Sequence, residues 1–559
     1  MNQEQNQDRR AESGSARKSR LFKPQWGLAV ILIGSALLYF RLYDPSRFGA
    51  YHDDAIYVTT AKALASGEGY RIVSLPYQPA ATKYPPLYPF LLSLVWRVDP
   101  HFPGNVNGMV ALTAAITLLF LAITWLYLVK ENYATNWQAL VVVAATAVNW
   151  RIVIYATGIY SEMIYAALSV GALVMAERLD LKRKNWLMGS VLGVLIGLAF
   201  LARSTGVALL VAVAVYFIMQ RKIRQILLPL AIAGLFIAGW FIWCHMNRTA
   251  FTGVNVAYYT NYLEHFRNVL HDIQVNTDSS MAMTILGVLL RNLMMVVVVS
   301  IPVLCLGLDF AWVVYLGFVL MFVAAGFIRD VARRWRLLHV YTVCYLGLHV
   351  VWLPFVSYDR YLAPILPFLL LWLVRELDTM TSVAKRTLVS KDPLTAKAGA
   401  SVIAVAVVVL VSVAIYSYGS SVYFSVVSAS SDKRVKPSVE DAEAIEWINT
   451  NSDPSDVLVC GRDPMYYLYT GRKAACSLPQ TGTIYWQDKH ELIFNIADES
   501  DGKYLVLTAA DFEQGYQPDL QNQSFKELIE GHRERFVPVF RSSNGKSTIF
   551  QIETADGRR

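Results

Sequence analysis

Apolar and polar positions alternate on a long scale in this chain. Apolar runs lie near 25–43, 106–129, 137–156, 160–177, 186–203, 204–219, 225–244, 310–328, 338–356, 359–375 and 400–424. Met109 to Leu128 (MVALTAAITLLFLAITWLYL) carries no charge, and a stretch of about 20 such residues crosses the roughly 30 Å hydrocarbon core of a bilayer. The pattern predicts an all-α polytopic membrane bundle of about eleven transmembrane helices. The polar tail 1–23, with Arg9, Arg10, Arg17, Lys18 and Arg20, reads as a disordered cytoplasmic extension. From there the breaks holding Lys182, Arg183 and Lys184, and then Arg221, Lys222 and Arg224, fall on the cytoplasmic side, as the positive-inside rule requires.

Residues 281–308 are apolar enough to cross but contain Arg291, Asn292 and Pro302. A crossing there would put both later basic groups, Arg329 to Arg336 and Lys385 to Lys397, outside. A re-entrant or interfacial segment on the outer side is therefore expected. The same parity places the C-terminus outside. From about 430 the period shortens: β-like runs at Asp456–Cys460 and Tyr504–Thr508 accompany a helical stretch at Val439–Asn449, which predicts a small α/β outer domain over 429–559. The membrane domain then covers 24–428, with outer segments at 44–105 and 245–308. The first of these holds a helix from about Asp54 to Ser66, ended by Gly67 and Gly69, and an apolar helix from Leu87 to Val98 behind prolines.

Composition agrees. Hydrophobic types make up 55% and charged ones 16%, against roughly 25% charged in a soluble domain, which excludes a purely soluble enzyme. The net charge of +8 follows from basic cytoplasmic loops, so no nucleic acid partner is expected. The five cysteines show no metal-ligand or disulfide spacing. Asn247-Arg248-Thr249 matches a glycosylation acceptor but sits against a span end.

Four constellations carry candidate chemistry. His52-Asp53-Asp54 follows the first span. A carboxylate there serves either as general base for an acceptor hydroxyl or as a helix N-cap, and because neighbours on a helix point about 100° apart the two can divide these tasks. His52 beside Asp53 and Asp54 makes a poor metal site without a third ligand in sequence. Lys83-Tyr84-Pro85-Pro86-Leu87-Tyr88-Pro89 holds a cation and two tyrosines at the membrane surface, suited to a lipid-linked phosphate or to simple anchoring. Arg151, Glu162, Arg203 and Asp359-Arg360 lie at outer span ends, where they line an anion-handling cavity or form structural pairs such as Arg151 with Glu162. Finally, Pro364 and Pro367 beside Arg360-Tyr361 kink the outer end of their span.

Taken in order, the acidic pair, KYPPLYPFLLSL, YSEMIYAAL, LARSTG and RYLAPILP resemble the bacterial GT-C membrane glycosyltransferases, close to the protein mannosyltransferase and aminoarabinose transferase group. AIEWINTNSDPSDVLV with YYLYTGRKAACSLP is similar to the tail of many such proteins, so the resemblance covers roughly 25–480. It implies an enzyme of the inner (plasma) membrane that moves a sugar from a polyprenyl-phosphate carrier to an extracytoplasmic acceptor: a glycolipid, a cell-envelope glycan or a protein. Asp53 matches the base, with Asp54 as alternate, and Glu162 matches a second acidic position. Lys83 and Arg360 match carrier-phosphate positions, in a neighbourhood that includes Tyr84, Tyr88, Arg151, Arg203 and Tyr361. A tyrosine stands between Lys83 and the paired prolines. A divalent metal is optional for this chemistry, because the departing polyprenyl phosphate is already an adequate leaving group. The alternatives are a lipid or polysaccharide transporter, which would show repeats and charges at the bilayer midplane, and a non-catalytic envelope scaffold.

Overall fold

The computed structural model describes residues 24–179, 186–247, 259, 266–267, 270–271, 273–274, 278–307, 313–352, 358–390, 393–429, 431–476, 492–508 and 529–553. The tail 1–23, the basic break at Lys182–Lys184 and most of the Asn247-Arg248-Thr249 triplet lie outside the described residues.

Every apolar run read from the sequence is mostly helix over its described residues. In chain order these are α1 (Pro24–Leu42), α4 (Val106–Lys130), α5 (Asn136–Val148), α6 (Trp150–Ala156), α7 (Glu162–Arg178), α8 (Trp186–Ala202), α9 (Val207–Met219) and α10 (Ile223–Met246). They are followed by α11 (Met281–Leu306), α12 (Val313–Arg333), α13 (Leu337–Val350), α14 (Leu366–Val389) and α15 (Leu394–Ser428). Two helices of the first loop, α2 (Asp53–Ala65) and α3 (Leu87–Val98), complete the set. Among the described residues, five helices are long and apolar enough to cross a membrane, a sixth if α5 and α6 are one bent span, and shorter apolar helices accompany them. The protein is a multi-pass membrane protein. Small residues let α8 approach α10 closely: a Cβ on Gly193 would lie 2.8 Å from the Pro229 carbonyl oxygen, and one on Gly197 2.5 Å from the Phe236 ring.

The bundle has two distinct ends. At one, basic residues are paired across helices: Arg178 with Glu131, Arg336 with Glu177, Arg329 with Glu376, and Arg375 with Asp330. At the other lie Leu42, Ala156, Glu162, Arg203 and Asp359, with α2 and α3 above them. We call these the basic end and the site end.

Two elements differ from expectation, and a third keeps its expected side of the bundle in a form the sequence did not show. The run 137–156 is broken at Asn149, whose extended backbone turns α6 by 64° from α5. The Asn149 side chain accepts from the Arg151 N–H and donates to the Leu304 carbonyl, so the groups freed at the break are satisfied. Pro364 and Pro367 do not kink a continuous helix. They sit in a 3-10 turn (Ala363–Ile365) and the first turn of α14, after a short helical turn Asp359–Leu362, where a missing N–H costs nothing. The segment expected to be re-entrant or interfacial is one continuous helix, α11, with a π turn at Met294–Ser300. It is long enough to cross alone, yet Asn292 bonds the Val350 and Trp352 carbonyls, Ser300 accepts from the Tyr358 N–H, and Leu306 accepts from Ser417. These partners belong to the site end and the part of the bundle beneath it, so α11 and α12 together lead once from the site end to the basic end.

The C-terminal part is a five-stranded sheet in the order β2-β1-β3-β5-β4, built from β1 (Val457–Cys460), β2 (Ala474–Cys476), β3 (Gly502–Thr508), β4 (Phe536–Arg541) and β5 (Ser547–Ile552). β1 is parallel to β2 and β3, with Cys460 opposite Cys476, while β5 runs antiparallel to β3 and β4. Helices α16 (Ala442–Asn451), α17 (Asp463–Thr470) and α18 (Leu492–Ser500) pack on it. The sheet docks on the first loop: the Ala474 N–H donates to the Ser74 carbonyl (2.9 Å) and Phe102 meets the Tyr469 ring edge-on. Gly49, at φ +84°, lies so close to Met465 that a Cβ there would sit 2.6 Å from its side chain.

Candidate active site

The site begins with the start of α2. His52, at φ +61°, turns the chain sharply into the helix, and the two carboxylates that follow diverge. Asp54 turns back onto the loop, where its Oδ2 accepts from the Gly49 N–H (2.7 Å) and its Oδ1 from the Ala55 N–H (2.9 Å). It is the one that organises free backbone donors. It also lines a cavity bounded by Tyr43, Arg47, Tyr51 and Tyr160. Asp53 faces the other way. Tyr84 donates to its Oδ1 (2.6 Å) and Arg360 Nη2 pairs with its Oδ2 (2.8 Å).

Arg360 links this carboxylate to a second. Its Nε donates to Glu162 Oε1 (2.6 Å), the same oxygen that Arg203 Nη1 reaches at 2.7 Å. Glu162 is the buried first residue of α7, whose positive dipole end favours a carboxylate. Arg203 occupies the extended break between α8 and α9, and also donates to Ser161 Oγ, which in turn bonds Tyr57. Aromatic rings wall the cluster: Arg360 lies over Tyr160 and Arg203 over Tyr361. Tyr345 donates to the Tyr361 carbonyl (2.7 Å), which fixes the short turn carrying Arg360.

Lys83 is buried beside this group, over the Tyr84 ring. Its loop is pinned to the end of α10, where Trp243 Nε1 donates to the Ala81 carbonyl and Cys244 bonds the Thr82 carbonyl, and Tyr70 donates to the Tyr84 carbonyl. Burial pushes the Lys83 ammonium down to about 8 against the pull of Asp53. For Asp53, burial works upward, but Arg360, the Tyr84 hydroxyl and Lys83 outweigh it and hold the carboxyl at about 2. Burial raises Asp54 to about 6 despite its two backbone donors.

Asp53, Lys83, Tyr84, Glu162, Arg203, Arg360 and Tyr361 thus meet in one cluster. Arg151 stands one residue away: it pairs with Asp359, the neighbour of Arg360, and not with Glu162, and stacks on Trp150. Tyr88 stands behind the cluster, its hydroxyl bonded to the backbone of Tyr160, over whose ring Arg360 lies. It is fully buried, bonded to Thr113 of α4 (2.7 Å), and backs the Tyr57 ring. Asp53 and Glu162 face a shared guanidinium, so these residues do not form a carboxylate cage for a divalent ion, and Arg360 supplies the positive charge between them.

Sequence reasoning missed the partners of His52. Its Nε2 meets Asp463 Oδ1 at 2.8 Å, and Tyr259 donates to Asp463 Oδ2 at 2.6 Å. Asp463 stands in the first turn of α17, far along the chain, and no local pattern could have announced it.

Comparison of the fold gives its class. Over 95% of this chain and 98% of the other, it is similar to ArnT from Cupriavidus metallidurans bound to undecaprenyl phosphate, with a TM-score of 0.52 and 14% identity. Over 96% of this chain and 75% of the other, it is similar to the oligosaccharyltransferase AglB from Archaeoglobus fulgidus in complex with an inhibitory peptide and a dolichol-phosphate, with a TM-score of 0.51 and 12% identity. The apo form of the Archaeoglobus fulgidus oligosaccharyltransferase gives 0.54 and 14% over the same shares. No family model and no curated protein matches the sequence. The chain has the fold of the GT-C membrane glycosyltransferases.

Proposed function

We propose that this protein is a glycosyltransferase that moves a sugar from a polyprenyl-phosphate carrier to an acceptor hydroxyl presented at the site end. The observation that carries this assignment is Asp53, held between the Tyr84 hydroxyl and the Arg360 guanidinium with Lys83 alongside. In one small volume this offers a general base and the cations for a leaving phosphate. The GT-C fold supports it, as do neighbours of that fold bound to undecaprenyl phosphate and to a dolichol-phosphate.

Arg203, Arg360 and Lys83 outnumber Asp53 and Glu162, so the cluster favours an additional anion. When the donor phosphate engages Arg360 and Lys83, it competes with Asp53 for the guanidinium and frees Oδ2 for the acceptor. The acceptor oxygen then attacks the anomeric carbon. Its proton passes to Asp53, the bond from that carbon to the phosphate oxygen breaks, and the electron pair leaves with polyprenyl phosphate. Fixed cations stabilise the charge that develops there. Glu162 acts as a positioning residue that holds both arginines. The paired basic clusters at the opposite end of the bundle favour a cytoplasmic basic end and N-terminus, with the site and the C-terminal sheet outside.

The test is release of polyprenyl phosphate by the purified protein from a panel of polyprenyl-phosphate sugars, compared with Asp53→Asn. Loss of a positioned base typically removes about 10²–10⁴-fold of rate. Equal turnover in both proteins would move the base to Asp54 or Glu162. No release from any donor by the folded protein would overturn the assignment.

A further inference from the structure

We propose that His52, Asp463 and Cys476 form a binding site for a zinc-class divalent cation at the seam between the C-terminal sheet and the first loop. One donor atom from each side chain lies within 4.8 Å of the others, and all three residues are buried. A tetrahedral ion with bonds of about 2.0–2.3 Å requires donors about 3.5 Å apart, so closing on the ion takes side-chain adjustments of an ångström or so. Tyr259 Oη, 2.6 Å from Asp463 Oδ2 and 3.4 Å from His52 Nε2, stands where a fourth donor or an orienting hydrogen bond belongs.

The donor set determines the kind of ion. A thiol, an imidazole and a carboxylate together suit a borderline-soft cation, whereas magnesium and calcium prefer all-oxygen surroundings. Charge agrees: a thiolate and a carboxylate neutralise a divalent ion and leave the imidazole neutral. Lys83 then keeps Asp53 as its partner.

The placement follows from the fold. Cys476 is the last residue of β2, and Asp463 lies just beyond the end of the adjacent parallel strand β1. Both therefore project from the carboxyl edge of the parallel strands, where ligands collect in open α/β sheets. The third donor comes from the membrane domain, from the residue directly before Asp53. An ion there would tie the sheet to the loop and fix the turn from which α2 and Asp53 start. It takes no part in the reaction proposed above, and its presence does not depend on that proposal.

The experiment uses the full-length protein purified without chelators. Elemental analysis is expected to return about one zinc per chain. After chelator treatment, cobalt(II) is expected to bind with a sulfur-to-metal charge-transfer absorption, which reports the Cys476 thiolate directly in the wild-type protein. Cys476→Ser, close in volume, is expected to lose that absorption and the zinc, whereas His101→Ala, at an exposed histidine paired with Asp99 and not with the three donors, retains both. Added zinc is expected to raise the unfolding temperature of the wild type and not of Cys476→Ser. The proposal is overturned by any of three results: wild-type protein that stays metal-free after equilibration with zinc, cobalt bound without the sulfur absorption, or stoichiometric zinc retained in Cys476→Ser.

Discussion

Glu162 is the residue whose removal should disturb the site most without touching the proposed base, Asp53. Its Oε1 receives Arg203 at 2.7 Å and Arg360 at 2.6 Å. Breaking a buried ion pair from one side costs about 3–5 kcal/mol, because the surviving charge stays uncompensated. Glu162→Gln keeps a carbonyl oxygen near the two donors, and Arg360 retains Asp53 at 2.8 Å, so we place the loss at about 2–3 kcal/mol. Arg203→Met removes one positive charge and should cost a similar amount. The double variant removes one charge of each sign and leaves the Arg360–Asp53 pair intact. It should therefore lose about 1.5–3 kcal/mol less than the two single losses combined. Equilibrium unfolding in mixed micelles of rising SDS content, for wild type, both single variants and the double variant, measures that coupling. Losses that add within about 0.5 kcal/mol would refute the view that Glu162 works by compensating buried guanidiniums.

Other perturbations separate the roles of neighbouring groups. Tyr84→Phe removes the 2.6 Å hydrogen bond to Asp53. A bond to a charged group is worth about 1.5–3 kcal/mol, so turnover should fall roughly ten- to a hundredfold while carrier-phosphate affinity, measured by equilibrium binding, changes little. Tyr88→Phe should behave in the opposite way. Loss of its bond to Thr113 should lower stability by about 1–2 kcal/mol and leave both turnover and donor affinity unchanged, and a selective loss of donor affinity would return Tyr88 to the site. Gly49→Ala forces a side chain onto a backbone at φ +84° facing Met465. A strain of about 1–3 kcal/mol should loosen the docked sheet, visible as faster limited proteolysis of the C-terminal part than of the membrane helices.

Much of this fold could be read because its signals are local. The helix Leu87–Val98 appears where prolines open it, and α2 ends where Gly67 and Gly69, both at positive φ, demand a stop. The break at Asn149 was not legible: one asparagine in an apolar run says little, and the bend depends on Leu304 and Tyr418 to receive its side chain. At the site, sequence supplied the residue types and their common depth but not the pairing. Arg151 belongs to Asp359 instead of Glu162, and Glu162 meets Arg360 across 198 residues. The division of labour between Asp53 and Asp54 turns on a 100° rotation that either residue satisfies equally well on paper. His52 looked inert because its partners lie beyond residue 258 in the chain.

The clamp between His52 and Asp463 spans 411 residues, and this bears on how the protein is made. A ribosome delivers Asp53, Lys83, Glu162, Arg203 and Arg360 first, and a chain stopped after residue 428 would already contain every membrane helix described here. In such a truncated product the turn ahead of Asp53 would lack the contacts with the sheet that define it. Assembly of the reactive corner therefore waits for the final part of translation. Under the proposed function, a partly synthesised bundle would occupy the membrane without the sheet contacts that define the turn ahead of Asp53, so the same contacts that hold the proposed base report that synthesis has finished.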